Sequence, residues 1–225
     1  VSNNGETYVI ELNLRASRSM PFSSKSVGTN LIAESLKGIF DGLDHEEFFE
    51  PRHKSFAVKS AQFSWGQMKG AYPHLGPEMR STGEVASLGE YLDDALIKSW
   101  LSVSPNRLPK EGALIYGQSN KEHLFKASKY LKRYIDVYTL DNAIVDGKVL
   151  STDQAIDLIN KGKIDLIITD GNIPDMDYAI RRLAVDINMP VILNGRLGGE
   201  LARAFGATQS IYELKEYYEN KQRLL

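Results

Sequence analysis

Apolar positions near the start of the chain fall two apart. In "TYVIELNL", Tyr8, Ile10 and Leu12 alternate with Val9, Glu11 and Asn13, the period of a strand with two unlike faces. One face is apolar, and the other sets Glu11 and Asn13 side by side. The period then changes. In "NLIAESLKGIF", Leu31, Ile32, Leu36, Ile39 and Phe40 recur at helical spacing, after a "RASRSMPFSSKSVG" connection read as irregular. The acidic stretch "DGLDHEEFFEPRHK" reads as an exposed turn and "SFAVKSAQFSW" as a strand. A long segment rich in glycine and proline, "GQMKGAYPHLGPEMRSTGEVASLG", follows; a connection of that length in a compact domain is usually functional or mobile. "SLGEYLDDALIKSWL" predicts a helix with Leu88, Leu92, Ala95, Leu96 and Trp100 inward, and "SPNRLPKEG" reads as a linker.

Beyond residue 109 the two periods alternate strictly. "GALIY", "IDVYTL", "IDLIIT" and "PVILN" predict strands. Between and after them, "SNKEHLFKASKYLKRY", "STDQAIDLINKG", "PDMDYAIRRLAVDI", "LGGELARAF" and "IYELKEYYENKQ" predict helices. Capping boxes are expected at Ser119 with Glu122 and at Ser151 with Gln154. Such alternation predicts an α/β doubly wound parallel sheet, covered on both faces, with ligand sites at the carboxyl ends of its strands.

Composition narrows the function. With 225 residues, 42% hydrophobic and 25% charged, the chain fits one large or two small soluble domains. A formal net charge of -2 carries no basic surplus, so no nucleic-acid partner and no anionic membrane surface is expected. No apolar run approaches the roughly 20 residues that span a bilayer, and no secretion signal is visible. The absence of cysteine removes disulfides, thiolate metal sites and a cysteine nucleophile, and fits a cytoplasmic location. The four histidines show no ligand spacing for zinc. The chain starts without methionine and enters a strand at once, which reads as an excerpt from something longer.

The candidate chemistry lies in "VIELNLRASR". On a strand, Glu11 and Asn13 project from one face and offer an anionic and a neutral oxygen to a single ion. Magnesium takes one or two protein oxygens of this kind and completes its octahedron with water and phosphates. Arg15 and Arg18 would lie beyond the ion, and arginine forks match phosphate oxygens in pairs. The bland alternative is a solvated strand face whose arginines make local ion pairs. In "GPEMRSTGEV", Gly76, Pro77 and Gly83 suit a fixed loop, with Arg80 and Glu84 expected to pair across it.

Taken together, "IELNLRASRSMPFSSKSVGTN" and "YPHLGPEMRSTGEV" resemble the large chain of carbamoyl-phosphate synthetase, at the end of its second ATP-grasp unit. The alternating segment sits where that family carries a regulatory domain similar in fold to methylglyoxal synthase. The resemblance implies that residues 1–108 are the C-terminal part, α+β, of the carbamate-phosphorylating ATP-grasp unit. Residues 109–225 would be a methylglyoxal-synthase-like allosteric domain. It implies ATP-dependent ligase activity, phosphorylating carbamate to carbamoyl phosphate, with the overall reaction drawing on bicarbonate, ammonia and two ATP. The isolated piece is expected to be inactive. Glu11 and Asn13 fall on the family's positions for Mg2+ (or Mn2+), and Arg15 and Arg18 on positions that contact phosphate. A glutaminase small chain is the implied partner, and the product would serve arginine or pyrimidine biosynthesis.

The second segment departs from the family plan twice. A threonine- and glycine-containing loop expected after "IDVYTL" is replaced by "DNAIVDGKVLSTDQ". At the end of "IDLIIT", Asp170 stands where an anion-binding hydroxyl is expected, and a carboxylate there repels phosphate. The remaining candidate for a small-molecule effector is "NGRLGGELA", with Asn194, Gly195 and Arg196 at a strand end and helix start. The expectation is that nucleotide regulation has been lost or that a different effector binds. Phosphate elimination from a triose phosphate, the chemistry of methylglyoxal synthase, is disfavoured without the phosphate loop. The alternative from another class is a non-catalytic metabolite-sensing or partner-docking module.

Overall fold

A computed structural model describes residues 2–3, 5–10, 17, 19–42, 55–141, 145–207 and 211–219. The chain forms two compact units, one of Val1–Lys54 with Tyr218–Leu225 and one of Ser55–Tyr217.

In the first unit, β1 (Ser2–Asn3) and β2 (Glu6–Thr7) pair antiparallel. Two helices follow, α1 (Met20–Val27) and α2 (Leu31–Phe40). Gly28 ends α1 in the left-handed region at φ 70°, and the Asn30 side chain caps α2 by accepting from the Ala33 amide at 3.2 Å. The helix over 31–40 forms as its spacing predicts, but its apolar stripe is uncovered, with Ile39 73% and Phe40 81% exposed. The connection read as irregular contains α1. Of the strand expected over 7–14, only Thr7 lies in a strand, at the end of β2; residues 8–10 take no regular structure, and Tyr8, Val9 and Ile10 are exposed. The rest of that stretch, and most of the acidic turn, lie outside the described residues.

The second unit opens with an antiparallel ribbon, β3 (Phe56–Gln62) with β4 (Gly83–Gly89), on which α3 (Leu92–Leu101) packs. Leu88 therefore belongs to a strand, opposite Ala57, and the predicted helix starts later than its apolar spacing suggested. Leu92 is 40% exposed, whereas Ala95 and Trp100 are buried. The remaining elements are β5 (Gly112–Gly117), α4 (Lys121–Leu131), β6 (Asp136–Thr139), β7 (Lys148–Val149) and α5 (Thr152–Asn160). They continue with β8 (Leu166–Asp170), α6 (Pro174–Asp186), β9 (Val191–Ile192), α7 (Gly195–Ala204) and α8 (Leu214–Glu219). The five strands β5 to β9 form one parallel sheet in the order β7-β6-β5-β8-β9. The parallel α/β sheet predicted from the alternation is present.

Strand geometry explains the two cores. Ile115 and Ile168 point to one face, where Leu124, Leu131, Leu201 and Trp100 meet them. Leu114 and Ile167 point to the other, against Ala155, Ile159, Ile180 and Ala184. The Ser151–Gln154 capping box forms as expected, with both reciprocal bonds present. The one at Ser119 does not: Asn120 becomes the N-cap in a left-handed conformation, φ 49°, with no side-chain cap bond. Residues 104–112 are held from several sides. Arg107 donates to the Asn188 carbonyl at 2.9 Å, and Asp165 accepts from the amides of Lys110, Glu111 and Gly112.

An ion-pair chain joins three helices: Lys126 of α4 to Glu200 of α7 at 2.8 Å, Glu200 to Arg203 at 2.9 Å, and Arg203 to Asp93 of α3 at 2.6 Å. The Lys126 hydrogen bond, joined by Arg203, holds the Glu200 carboxyl below its ordinary range. Its stabilisation is complete above the ordinary value and disappears as pH falls through the depressed one. Glu200→Gln should cost about 0.5–1 kcal/mol at neutral pH, and urea unfolding should find that difference gone in acid.

Candidate functional site

Glu11, Asn13, Arg15 and Arg18 lie outside the described residues. Among the described residues no group of three acidic or histidine side chains is placed to hold a metal ion.

The sheet order makes β5 the turning point, because the chain leaves it toward β6 on one side and returns to β8 on the other. Ligands of such sheets bind outside the carboxyl ends of the strands at that point. Here the groups at those ends bond one another. The Gln118 amide donates to the Asp170 carbonyl at 3.1 Å. The Asp170 carboxylate, 7% exposed, accepts from Asn120 Nδ2 at 2.9 Å and from the Gly195 amide at the start of α7. A carboxylate is well placed at a helix N-terminus, where unpaired amides and the helix dipole favour negative charge. The seat that would take a free anion is therefore taken by the chain's own side chain. Gly195 is required there: a Cβ would lie 2.9 Å from Asp170 Oδ2 and 3.1 Å from Leu124.

The three candidate effector residues do not converge. Asn194 caps α7 through its side-chain oxygen, 2.9 Å from the Leu197 amide. Gly195 is buried against Asp170. Arg196 is exposed and makes no hydrogen bond or ion pair among the described residues. The loop that includes Arg80 is also exposed, and Glu84 pairs with Lys59 at 2.9 Å instead of with Arg80. The reason is register: Lys59 lies opposite Ala86 and Glu84 opposite Ala61, so the two charges are diagonal neighbours across the ribbon.

A cavity of about 680 Å3 lies between the ribbon layer and the β9 edge of the sheet. Phe63, Trp65, Leu75, Trp100, Met189 and Leu193 are in its wall. Phe63 and Trp65 stack with ring centroids 5.7 Å apart, and the buried Trp65 indole N–H has no hydrogen-bond partner among the described residues. Asn194 also borders this cavity, so one of the three effector residues touches a space able to hold a small molecule. Periodicity alone does not reveal this cavity, since its walls come from segments more than a hundred residues apart.

The fold defines an α/β protein with a five-stranded parallel sheet whose strand ends are closed by the chain's own groups. No protein-family model matches the chain. Curated proteins do. The chain is 54% identical over 224 residues to the carbamoyl phosphate synthase large chain of Sulfolobus acidocaldarius, and 55% identical over 221 residues to that of Sulfurisphaera tokodaii. Each match covers 96% of this chain and 21% of the relative. The large chain of Saccharolobus solfataricus is 52% identical over 217 residues. The chain is thus homologous to part of proteins named carbamoyl phosphate synthase large chain, and it spans about a fifth of their length.

Truncating the carboxylate at the sheet turning point tests its structural role. Asp170→Ala leaves the Gly195 amide and the Asn120 side chain without their acceptor, which should cost ~1–3 kcal/mol in urea unfolding. Asp170→Asn keeps one acceptor oxygen and should lose less.

Proposed function

We propose that this chain contributes to an ATP-dependent ligase as the C-terminal part of a carbamoyl phosphate synthase large chain. The observation that carries the reading is 54% identity across 96% of the chain to a protein of that name. In this reading residues 1–108 end the carbamate-phosphorylating ATP-grasp unit, and residues 109–225 form a methylglyoxal-synthase-like allosteric domain. The exposed apolar face of α2, with Ile39 and Phe40 outward, agrees with a segment that packs against more of a longer protein.

Phosphoryl transfer to a weak oxygen nucleophile depends on positioning and on neutralising negative charge. Glu11 and Asn13 supply the oxygen donors that suit Mg2+ or Mn2+, and a bound ion would offset charge on the ATP phosphates. Arg15 and Arg18 orient and neutralise the phosphoryl oxygens through paired N–H donors. Bicarbonate and ATP are the substrates, and ammonia comes from a glutaminase small chain. The 225 residues alone are expected to show no turnover.

For regulation, the occupied α7 terminus supports loss of nucleotide binding at the sheet ends, and the cavity beside Asn194 is the position we assign to a different small effector. Calorimetric titration with UMP or IMP should give no saturable binding; tight binding abolished by Arg196→Ala would overturn this. The catalytic assignment is tested in a full-length large chain containing this segment, by ATP formation from carbamoyl phosphate and MgADP. Glu11→Gln should reduce that rate by about two orders of magnitude or more, with bicarbonate-dependent ATP hydrolysis retained. An unchanged rate would return Glu11 to a solvated strand face.

A further inference from the structure

Residues 65–75 form only a short 3-10 turn, Trp65–Gln67, and no other helix or strand, yet many of their carbonyls are satisfied by a single neighbour. Arg182 of α6 donates from Nη1 to the carbonyls of Trp65, Met68 and Ala71 at 3.2, 3.0 and 3.1 Å. Arg181 donates to the Pro73 carbonyl at 3.1 Å, Tyr178 to Gly70 at 2.9 Å, and Asn172 to Leu75 at 3.2 Å. Residues one apart on a helix point about 100° apart, and both Arg181 and Arg182 are buried, at 1% and 7% exposure. The loop therefore wraps across two faces of α6.

Each guanidinium is steadied from its own helix: Asp177 lies 2.6 Å from Arg181, and Asp186 lies 2.6 Å from Arg182. Tyr72 reaches back from the loop, donating to Asp177 at 2.8 Å and accepting from the Ile173 amide at 3.1 Å, with its ring against Arg181. The same loop runs directly into Gly76 and the segment 76–85. Trp65, Pro73 and Leu75 also belong to the cavity wall.

We infer that Arg181 and Arg182 are positioning residues that fasten residues 65–75 to α6 and so set the place of the 76–85 segment relative to the sheet. Resting on the reading above, that fastening links the effector cavity to the ATP-grasp part of the protein. The fastening itself is testable without activity. The amides of Gln67, Met68 and Ala71 are hydrogen-bonded within the loop and report its opening.

Hydrogen exchange of the whole chain should show these three amides exchanging about tenfold faster or more in Arg182→Met, with β5 and β8 unchanged. Arg182→Lys, which keeps the charge but lacks the planar fork, should restore part of the protection. Asp186→Asn removes only a carboxylate that is 57% exposed and should speed the same amides a few-fold, which keeps the test informative if Arg182→Met does not fold. Loop amides exchanging at the wild-type rate would overturn the inference, and so would an equal acceleration across β5 and β8. The exchange readout needs neither ligand nor turnover, so failure of the functional reading would leave these rates as predicted.

Discussion

Two adjacent guanidiniums buried on one helix are the constraint to which the second unit is built. Removing arginine from water is costly, and the cost is offset only where each positive group finds a carboxylate and enough acceptors. Arg181 and Arg182 find them in Asp177, Asp186 and four loop carbonyls. The loop depends equally on the arginines, because buried backbone carbonyls outside helices and sheets need donors from elsewhere. Burial holds the Asp177 carboxyl above its ordinary range even with Arg181 beside it, a sign of how dry the junction is. Around it the ribbon β3–β4, helix α3 and the parallel sheet become one compact body, which spans the functional boundary proposed at residue 108.

A second closure of the same kind occurs at the turning point of the sheet. In many α/β domains that crevice is left open, with helix amides free to take a ligand. Here Asp170, Asn120 and Gly195 satisfy one another, and Gly195 lets the carboxylate approach closer than any side chain would allow. In the proposed reading a small effector takes the cavity beside β9 instead, whose wall mixes aromatic and aliphatic side chains with polar ones such as Gln62 and Asn194.

Much of this architecture was legible in the chain. The alternation after residue 109 marked the parallel sheet, because strands buried on both faces read as short apolar runs between amphipathic helices. Ser151 and Gln154 announced the start of α5, since both partners of a capping box lie within four residues. What was not legible depends on distant partners. The box expected from Ser119 and Glu122 does not form; Asn120 stands at the N-cap instead, its side-chain amide bonded to Asp170, fifty positions on. Glu84 meets Lys59 across a ribbon whose register is invisible to local pattern, and Leu88 joins that ribbon although its spacing suits the helix that follows. Arg181 and Arg182 stand within "AIRRLAV", where charge inside an apolar run is a visible signal, but its meaning lies in a loop a hundred residues earlier. The metal and phosphate roles proposed for Glu11, Asn13, Arg15 and Arg18 rest on resemblance and chemistry, since these four lie outside the described residues.

Residues 55–108 and the parallel sheet lie in one compact unit, with the α6 arginines at their junction. Scanning calorimetry should compare the 55–217 and 109–217 segments. If residues 55–108 and the sheet fold as one body, 55–217 melts in a single cooperative transition. The shorter segment, which strips Trp100 from the core and leaves Arg181 and Arg182 without loop acceptors, should melt at least about 10 °C lower or lack a cooperative transition. Equal melting temperatures for the two would contradict it.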